Sequence, residues 1–447
     1  MPADERLVAW NEKLARELGI EPEAAQYLSG KKIPPGATPI AQAYAGHQFG
    51  HFTMLGDGRA ILLGEHLTPD GRRVDIQLKG AGQTRYSRRG DGRAALGPML
   101  REYIISEAMH ALGFPTTRSL AVVATGEPVY REEVLPGAVL TRVAASHLRV
   151  GTFEFAATLG PDAVQSLTNY AIGRHYPECA HAENPPLAFF EAVAERQAKL
   201  IADWMSVGFI HGVMNTDNMA IAGETIDYGP CAFLDAFDSG AVFSSIDQQG
   251  RYAFGNQPKI AAWNLARLAE SLLPLLHEDE KEAITLAQAA LDRFGERFNA
   301  HWTGKLRTKL GLATTEAGDE NLITGFLALL QKSGADFTNS FRTLPEWKSL
   351  ETVVVEFHSW YQMWVERLAQ EGKTPETAKA AMDAVNPAVI ARNYFVEEAL
   401  AAATQGDLVP FNRLLAALQT PYAETVENEP YRQAGPKIEG YRTFCGT

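Results

Sequence analysis

A chain of 447 residues, 46% hydrophobic and 21% charged, has the make-up of a globular protein with ample apolar material for a core, which excludes a mostly disordered, fibrous or collagen-like chain. Its 41 basic and 54 acidic side chains leave a net charge of −13, so a phosphate backbone is repelled and general nucleic-acid binding is disfavoured; an anion site has to be a local basic pocket. Three widely spaced cysteines, Cys179, Cys231 and Cys445, offer neither a disulfide framework nor a thiolate zinc site, so a bound metal is expected to take oxygen ligands.

The first predicted element is a helix over 5–19, with Leu7, Trp10, Leu14 and Leu18 at helical spacing, ending in the turn-rich IPPGATPI. Short strand-like runs follow at 60–64, 74–80, 120–126 and 138–144, interrupted by one helix over 96–112 in which Met99, Tyr103, Met109 and Leu112 recur at helical intervals. Helical spacing returns from about 153 to 215. Two short apolar runs, MAIAG and AFLDAF, flank an ETIDYGP turn, and the remainder from 260 reads as a series of helices. The expected fold class is α+β: an N-terminal helical extension over 1–39, a mixed α/β lobe over 40–150, and a largely helical lobe over 151–447 with the active site in the cleft between them. No signal-like N-terminus and no stretch of about 18 uncharged apolar residues is found, so the reading is a cytoplasmic protein that does not enter a membrane.

The strongest constellation is HGVMNTDNMAIAGETIDYG at 211–229. It resembles the catalytic segment of a protein kinase, with His211 in the His position, Asn218 as the metal-binding Asn and Asp227-Tyr228-Gly229 in place of Asp-Phe-Gly. A carboxylate and an amide oxygen from neighbouring segments suit a Mg²⁺ that bridges nucleotide phosphates. Val213 occupies the position of the kinase's catalytic Asp and cannot accept a proton, which sets this chain apart from ordinary phosphoryl transfer. Upstream, Lys79 ends the strand VDIQLK, Glu102 lies on the following helix as its expected ion-pair partner, and Gly56 and Gly58 in LGDGRAILLG supply a turn that could cover phosphates. Arg85, Arg88, Arg89 and Arg93 crowd around Asp91-Gly92, and Arg142 and Arg149 follow; arginine forks match terminal phosphate oxygens, although a charge run can equally be a solvated surface loop.

With these segments in place, the sequence is similar to the selenoprotein O family over most of its length: AYAGHQFGHFTMLGDGRA, LKGAGQTRYSRRGDGRAALGPMLREYI, HGVMNTDNMAI, DYGPCAFLDAFD and NPAVIARNYFVEEAL. That resemblance implies a kinase-like two-lobed fold that binds ATP flipped relative to a kinase and passes AMP to a Ser, Thr or Tyr hydroxyl of a protein. It also implies that Gly56, Gly58, Arg59, Lys79, Asp91, Gly92, Arg142, Arg149 and Asp227 contact the nucleotide, that Asn218 and Asp227 hold Mg²⁺ or Mn²⁺, and that Asp217 is the proton acceptor. Read from the residues alone, Asp217 either takes the acceptor's proton or caps a turn. The implied partners are protein substrates, redox-related proteins among them, and the chain itself through self-modification. Competing functions are a kinase that releases ADP and a silent nucleotide-binding pseudokinase.

The family's C-terminal Cys-x-x-selenocysteine pair is replaced here by Cys445 alone, expected to be a free exposed thiol. His211 is expected to brace the backbone of its segment, His47 and His51 to pack in the core or cleft, and Phe357, Trp360 and Trp364 to form helix core.

Overall fold

The computed structural model describes residues 5–349 and 355–444. In chain order the elements begin with β1 (Arg6–Trp10), α1 (Glu12–Leu18), β2 (Ala45–Gln48), β3 (His51–Met54), β4 (Ala60–Leu67), β5 (Arg73–Lys79), β6 (Ala94–Ala95), α2 (Leu96–Ala111), β7 (Arg118–Tyr130) and β8 (Val134–Ala144). Helices then dominate: α3 (Val150–Leu159), α4 (Pro161–His175) and α5 (Pro185–Ser206), the short strands β9 (Phe209–Ile210) and β10 (Ala232–Phe233), and α6 (Gln257–Leu276), α7 (Glu280–Lys309), α8 (Asp319–Ser333), α9 (Phe337–Thr343), α10 (Val355–Gln370), α11 (Pro375–Asp383), α12 (Asn393–Thr404) and α13 (Val409–Leu418).

The main sheet is antiparallel in the order β1-β7-β8-β5-β4, with β6 paired to β8. Strand alternation, offset in β7 by a register shift between Ser119 and Ala121, divides its side chains between two cores. Val122, Ala138 and Leu140 join the large core under α2, whereas Leu120, Val123, Val143 and Val74 pack with Leu14, Ala15 and Leu18 of α1. Helix α2 is buried nearly all round because α12 and α13 close its far side; the rings of Tyr103 and Phe411 meet there at 5.9 Å. A helix buried on every side needs apolar residues off the usual stripe, which is what LGPMLREYIISEAMHA supplies.

The helix predicted over 5–19 is half strand. Arg6–Trp10 adds to the edge of β7, with Leu7 opposite Val123 and Ala9 opposite Val122, so ladder hydrogen bonds outweigh the helical spacing of Leu7 and Trp10. Asn11 makes the switch: its side-chain oxygen accepts from Leu14 N at 3.0 Å as the cap of α1, and its amide donates to Ser119 O at 3.1 Å. The hairpin β2–β3 also went unseen in the sequence, because a His- and Gly-rich AGHQFGHF has no apolar alternation to read. Trp360 and Trp364 are buried helix core, their rings stacked 6.4 Å apart, and Phe357 is buried beside them. Among the described residues no helix is long and apolar enough to cross a membrane.

Candidate active site

The site is assembled from one face of the sheet, α2, the turn before α3 and the irregular segment between β9 and β10. On β5 and β8, Gln77 lies directly opposite Arg142, and Lys79 stands two residues beyond Gln77 on the same face. Lys79 Nζ donates to Glu102 Oε2 of α2 at 2.6 Å and to Asp227 Oδ1 at 2.5 Å. Arg142, only 1% exposed, donates to Glu102 Oε1 at 3.1 Å, to Asp227 Oδ1 at 2.8 Å and to Gln77 Oε1 at 2.6 Å. Arg149, at the start of α3, lies 3.7 Å from Asp227 Oδ2 and 3.8 Å from Asp57 Oδ1, donates to the carbonyl of Asp217 at 3.1 Å, and covers the Tyr44 ring at 4.6 Å. Three buried cations thus converge on one carboxylate.

That arrangement fixes the charge state of Asp227. Burial alone would raise its pKa, but Lys79, Arg142 and Arg149 outweigh burial and hold the carboxyl well below the usual range. Its backbone is held at φ 64°, a left-handed conformation that costs a β-substituted residue energy and is kept by the surrounding contacts. Asp217 has the opposite environment. It sits in a short 3₁₀ turn over Thr216–Asn218, is 8% exposed, and burial pushes its pKa up to about 6 against the pull of Arg149. Among the described residues its Oδ1 has no hydrogen-bond partner, and a Cβ on Gly46 of β2 would lie 2.8 Å from that oxygen, so glycine there preserves the space around it. Asn218 Nδ2 donates to Val213 O at 3.0 Å, which leaves the amide oxygen as the end available to a cation.

These groups surround a cavity of about 510 Å³. Lys79, Arg142, Arg149, Asp217, Asn218 and Asp227 line it, together with Gly58, Arg59, Asp91 and Gly92 from the two glycine-bearing loops. Gly56 is absent from the wall. Its φ is 122° and a Cβ would meet the Tyr86 ring at 2.4 Å, so it seats the 82–93 loop on the 55–59 turn. Gly92, at φ 68°, has the carbonyl of Gly82 where a Cβ would be. Of the arginine run, Arg85, Arg88, Arg89 and Arg93 are all solvent-exposed and Arg93 alone reaches the cavity; Arg88 donates instead to Met54 O at 2.9 Å.

Several lining residues escaped the sequence reading. Arg131 grips Asp91 with both guanidinium nitrogens, at 2.9 and 3.0 Å, and this hydrogen bonding holds the Asp91 pKa down at about 2. Asp57, between the two glycines of the turn, accepts from Gln77 at 3.1 Å and Gln42 N at 3.2 Å, while burial raises its pKa despite Arg149 and Arg142. Its position inside G-D-G was the one signal available. Tyr44 and Asn215 had none. His211 is fully buried, with Nε2 against Ile226 O at 2.8 Å and its ring stacked on Trp204, and so braces its own segment as expected. His47 meets Glu154, whereas His51 on β3 is exposed and outside the core but lines an open groove beside the cavity.

The family described as protein adenylyltransferase SelO matches residues 2–419. The chain belongs to the SelO family. Curated relatives include proteins named protein nucleotidyltransferase YdiU from Anoxybacillus flavithermus, 58% identical over 100% of this chain and 94% of the relative, and from Geobacillus kaustophilus, 58% identical over 99% and 94%. The protein of the same name from Halalkalibacterium halodurans is 57% identical over 99% and 92%. As a SelO member the chain is a protein adenylyltransferase, an enzyme that transfers AMP to proteins.

Proposed function

We propose that this SelO enzyme draws AMP from ATP, binding the triphosphate with its β- and γ-phosphates toward Lys79, Arg142 and Arg149, so that the α-phosphorus faces the acceptor. The observation that carries this reading is the convergence of those three buried cations on Asp227 in the wall of the cavity. Asp227 balances their charge, and a polyphosphate competes for the same N–H donors. Arg59, Gly58, Gly92 and the Asp91–Arg131 pair border the same cavity and complete the nucleotide's enclosure.

The acceptor is a Ser, Thr or Tyr hydroxyl. Its oxygen attacks the α-phosphorus, the bond from that phosphorus to the α,β-bridging oxygen breaks, and pyrophosphate leaves with the electron pair. The hydroxyl proton goes to Asp217, whose Oδ1 has no hydrogen-bond partner among the described residues. Glu102 holds Lys79 and Arg142 in place, a positioning task rather than a catalytic one. Charge building on the leaving pyrophosphate is met by cations already fixed in position, so little reorganisation is needed as the bond breaks.

The donor set also fits a hard divalent cation, Mg²⁺ or Mn²⁺. A carboxylate on Asp227 and an amide oxygen on Asn218 border one cavity, and with only these two protein ligands the phosphate oxygens would complete the coordination sphere. Such an ion, when bound, supplies further neutralisation of the phosphates. The antiparallel sheet with α2 over one face, joined to a helical remainder, supports reading residues 40–150 and 151–447 as the two lobes of a kinase-like fold with 1–39 as an extension. A cytoplasmic enzyme is in keeping with ATP as substrate and with the absence, among the described residues, of a membrane-crossing helix, and its acceptors are substrate proteins and its own surface hydroxyls.

The test is to incubate the chain with a protein extract, the divalent ion and ATP labelled at the α- or the γ-phosphorus. Label arriving in protein from the α position only, and lost in Asp227→Ala, is the expected result. Transfer from the γ position makes the enzyme a kinase despite Val213, and ATP binding with transfer from neither overturns catalysis in favour of a silent nucleotide sensor.

A further inference from the structure

Beside the nucleotide cavity lies a second, open groove of about 490 Å³, and the two share Phe49 and Ile246 in their walls. Phe49 is fixed there: its φ of 53° is left-handed, and its N–H donates to Asn215 Oδ1 at 3.1 Å, two residues before Asp217. Tyr252 holds the same Asn215 oxygen from the other side at 2.5 Å. The partition between groove and catalytic cavity is therefore a rigid one, tied directly to the turn that carries Asp217.

The groove's charge is opposite to that of the chain. Arg251 and Lys259 line it with His51, yet the protein as a whole carries a net charge of −13. Among the described residues the one acid in its wall is Asp247, whose oxygens accept from the backbone N–H of Arg251 at 2.9 Å and of Tyr252 at 2.7 Å, so its single negative charge is set against two cations. Arg251 spreads its guanidinium over the ring of Trp263 at 4.9 Å, which fixes the head group without neutralising it. Among the described residues neither Arg251 nor Lys259 forms an ion pair with a carboxylate. A wall with two cations to one carboxylate in an acidic protein, next to the cavity where a hydroxyl is to be modified, attracts anionic chain by Coulomb's law.

We propose that this groove seats the acceptor segment of the substrate protein and selects segments with acidic residues flanking the modified hydroxyl. The proposal rests on the reading of the neighbouring cavity as the nucleotide site. It assigns Arg251 and Lys259 the recognition of substrate carboxylates, and Phe49 the wall past which the hydroxyl reaches Asp217.

The experiment uses three fluorescent peptides of equal length, each with one Ser flanked by Glu, Gln or Lys. Anisotropy with the full chain in the absence of ATP reports binding, and transfer from α-labelled ATP reports modification. The Glu peptide is expected to bind and react about tenfold better than the Gln peptide, with the advantage lost at about 0.5 M salt. Arg251→Glu and Lys259→Glu each shift the preference toward the Lys peptide, a gain that an unfolded variant could not show. Equal affinity for the three peptides, no binding of any of them, or a Glu preference kept in both variants overturns the proposal. Asp227→Ala separates it from the underlying reading: peptide preference that persists while AMP transfer vanishes supports both, and preference without any AMP transfer by the wild-type chain leaves the groove standing and removes the nucleotide reading.

Discussion

Two carboxylates ten residues apart in sequence illustrate how environment divides labour at the level of single side chains. Asp227 is surrounded by cations and stays ionised; Asp217 is buried with one bare oxygen and holds its proton more tightly. A base needs the second environment, a cation ligand the first. Asp217→Asn is accordingly expected to lower kcat for AMP transfer by about 10²–10⁴-fold while leaving the ATP Kd unchanged. An unaltered kcat, read in a steady-state assay with binding measured separately, would reduce Asp217 to a turn cap. Lys79→Met removes a shared partner of Glu102 and Asp227 and is expected to raise the ATP Kd at least tenfold, measured by titration. The sulfur chemistry is more restricted. Cys179 and Cys231 are both buried, and Cys231 has its pKa pushed up to about 12 by burial, so neither is an exposed thiolate; Cys445 lies outside the described residues.

At the scale of elements, the two glycine-bearing loops work as one unit. Thr84 donates through Oγ1 to Asp57 O at 2.5 Å, Ser87 bonds Gly58 O, and the Tyr86 ring fills the space that Gly56 leaves. Gly56→Ala is expected to push the 82–93 loop off the turn and raise the KM for ATP several-fold with little change in kcat. Adding Tyr86→Ala should recover part of the loss, the remainder reflecting the strained φ of 122°. A KM untouched by Gly56→Ala would detach these loops from nucleotide binding. The sequence placed Gly56 and Gly58 at the phosphates because G-x-G marks a tight turn, but it could not show that one glycine packs beneath while the other faces the cavity. The same local reading found β4, β5, β7, β8 and α2 through their apolar runs, and it mistook β1 for helix because edge pairing with β7 is a long-range gain.

Across the whole molecule, acid stability depends on histidines that the fold keeps neutral. His147, 2% exposed, bonds Asp75 through Nδ1 at 3.1 Å, its Nε2 has no hydrogen-bond partner among the described residues, and burial pushes its pKa down to about 4. An unfolded histidine takes up its proton near pH 6.5, so between there and about pH 4 the unfolded chain binds more protons than the folded one. The stabilisation is therefore complete above about pH 6.5 and is lost as pH falls, by about 3 kcal/mol for His147 alone. Burial lowers His175 to about 4 as well, which adds to the same slope. Urea melts from pH 8 to 4 should show stability declining from about pH 6.5, with a shallower decline in His147→Gln. Equal slopes in the two proteins would locate the acid sensitivity elsewhere.

The order Gly turn, Lys79, Glu102, Asn218, Asp227, the valine at 213 and the runs shared with SelO proteins were all present in the sequence, because motif spacing and apolar periodicity are local properties of a chain. What the tertiary structure decided was which charges meet. Arg142 and Arg149 became buried members of the site while Arg85, Arg88 and Arg89 stayed in solvent, although the sequence displays both sets as arginines near glycine. Lys79 finds Asp227 across 148 residues, and Arg131 finds Asp91 across 40. Pairing at such separations is set by strand register and by the burial that makes an unpartnered charge costly, and neither is written in the local spacing of residues.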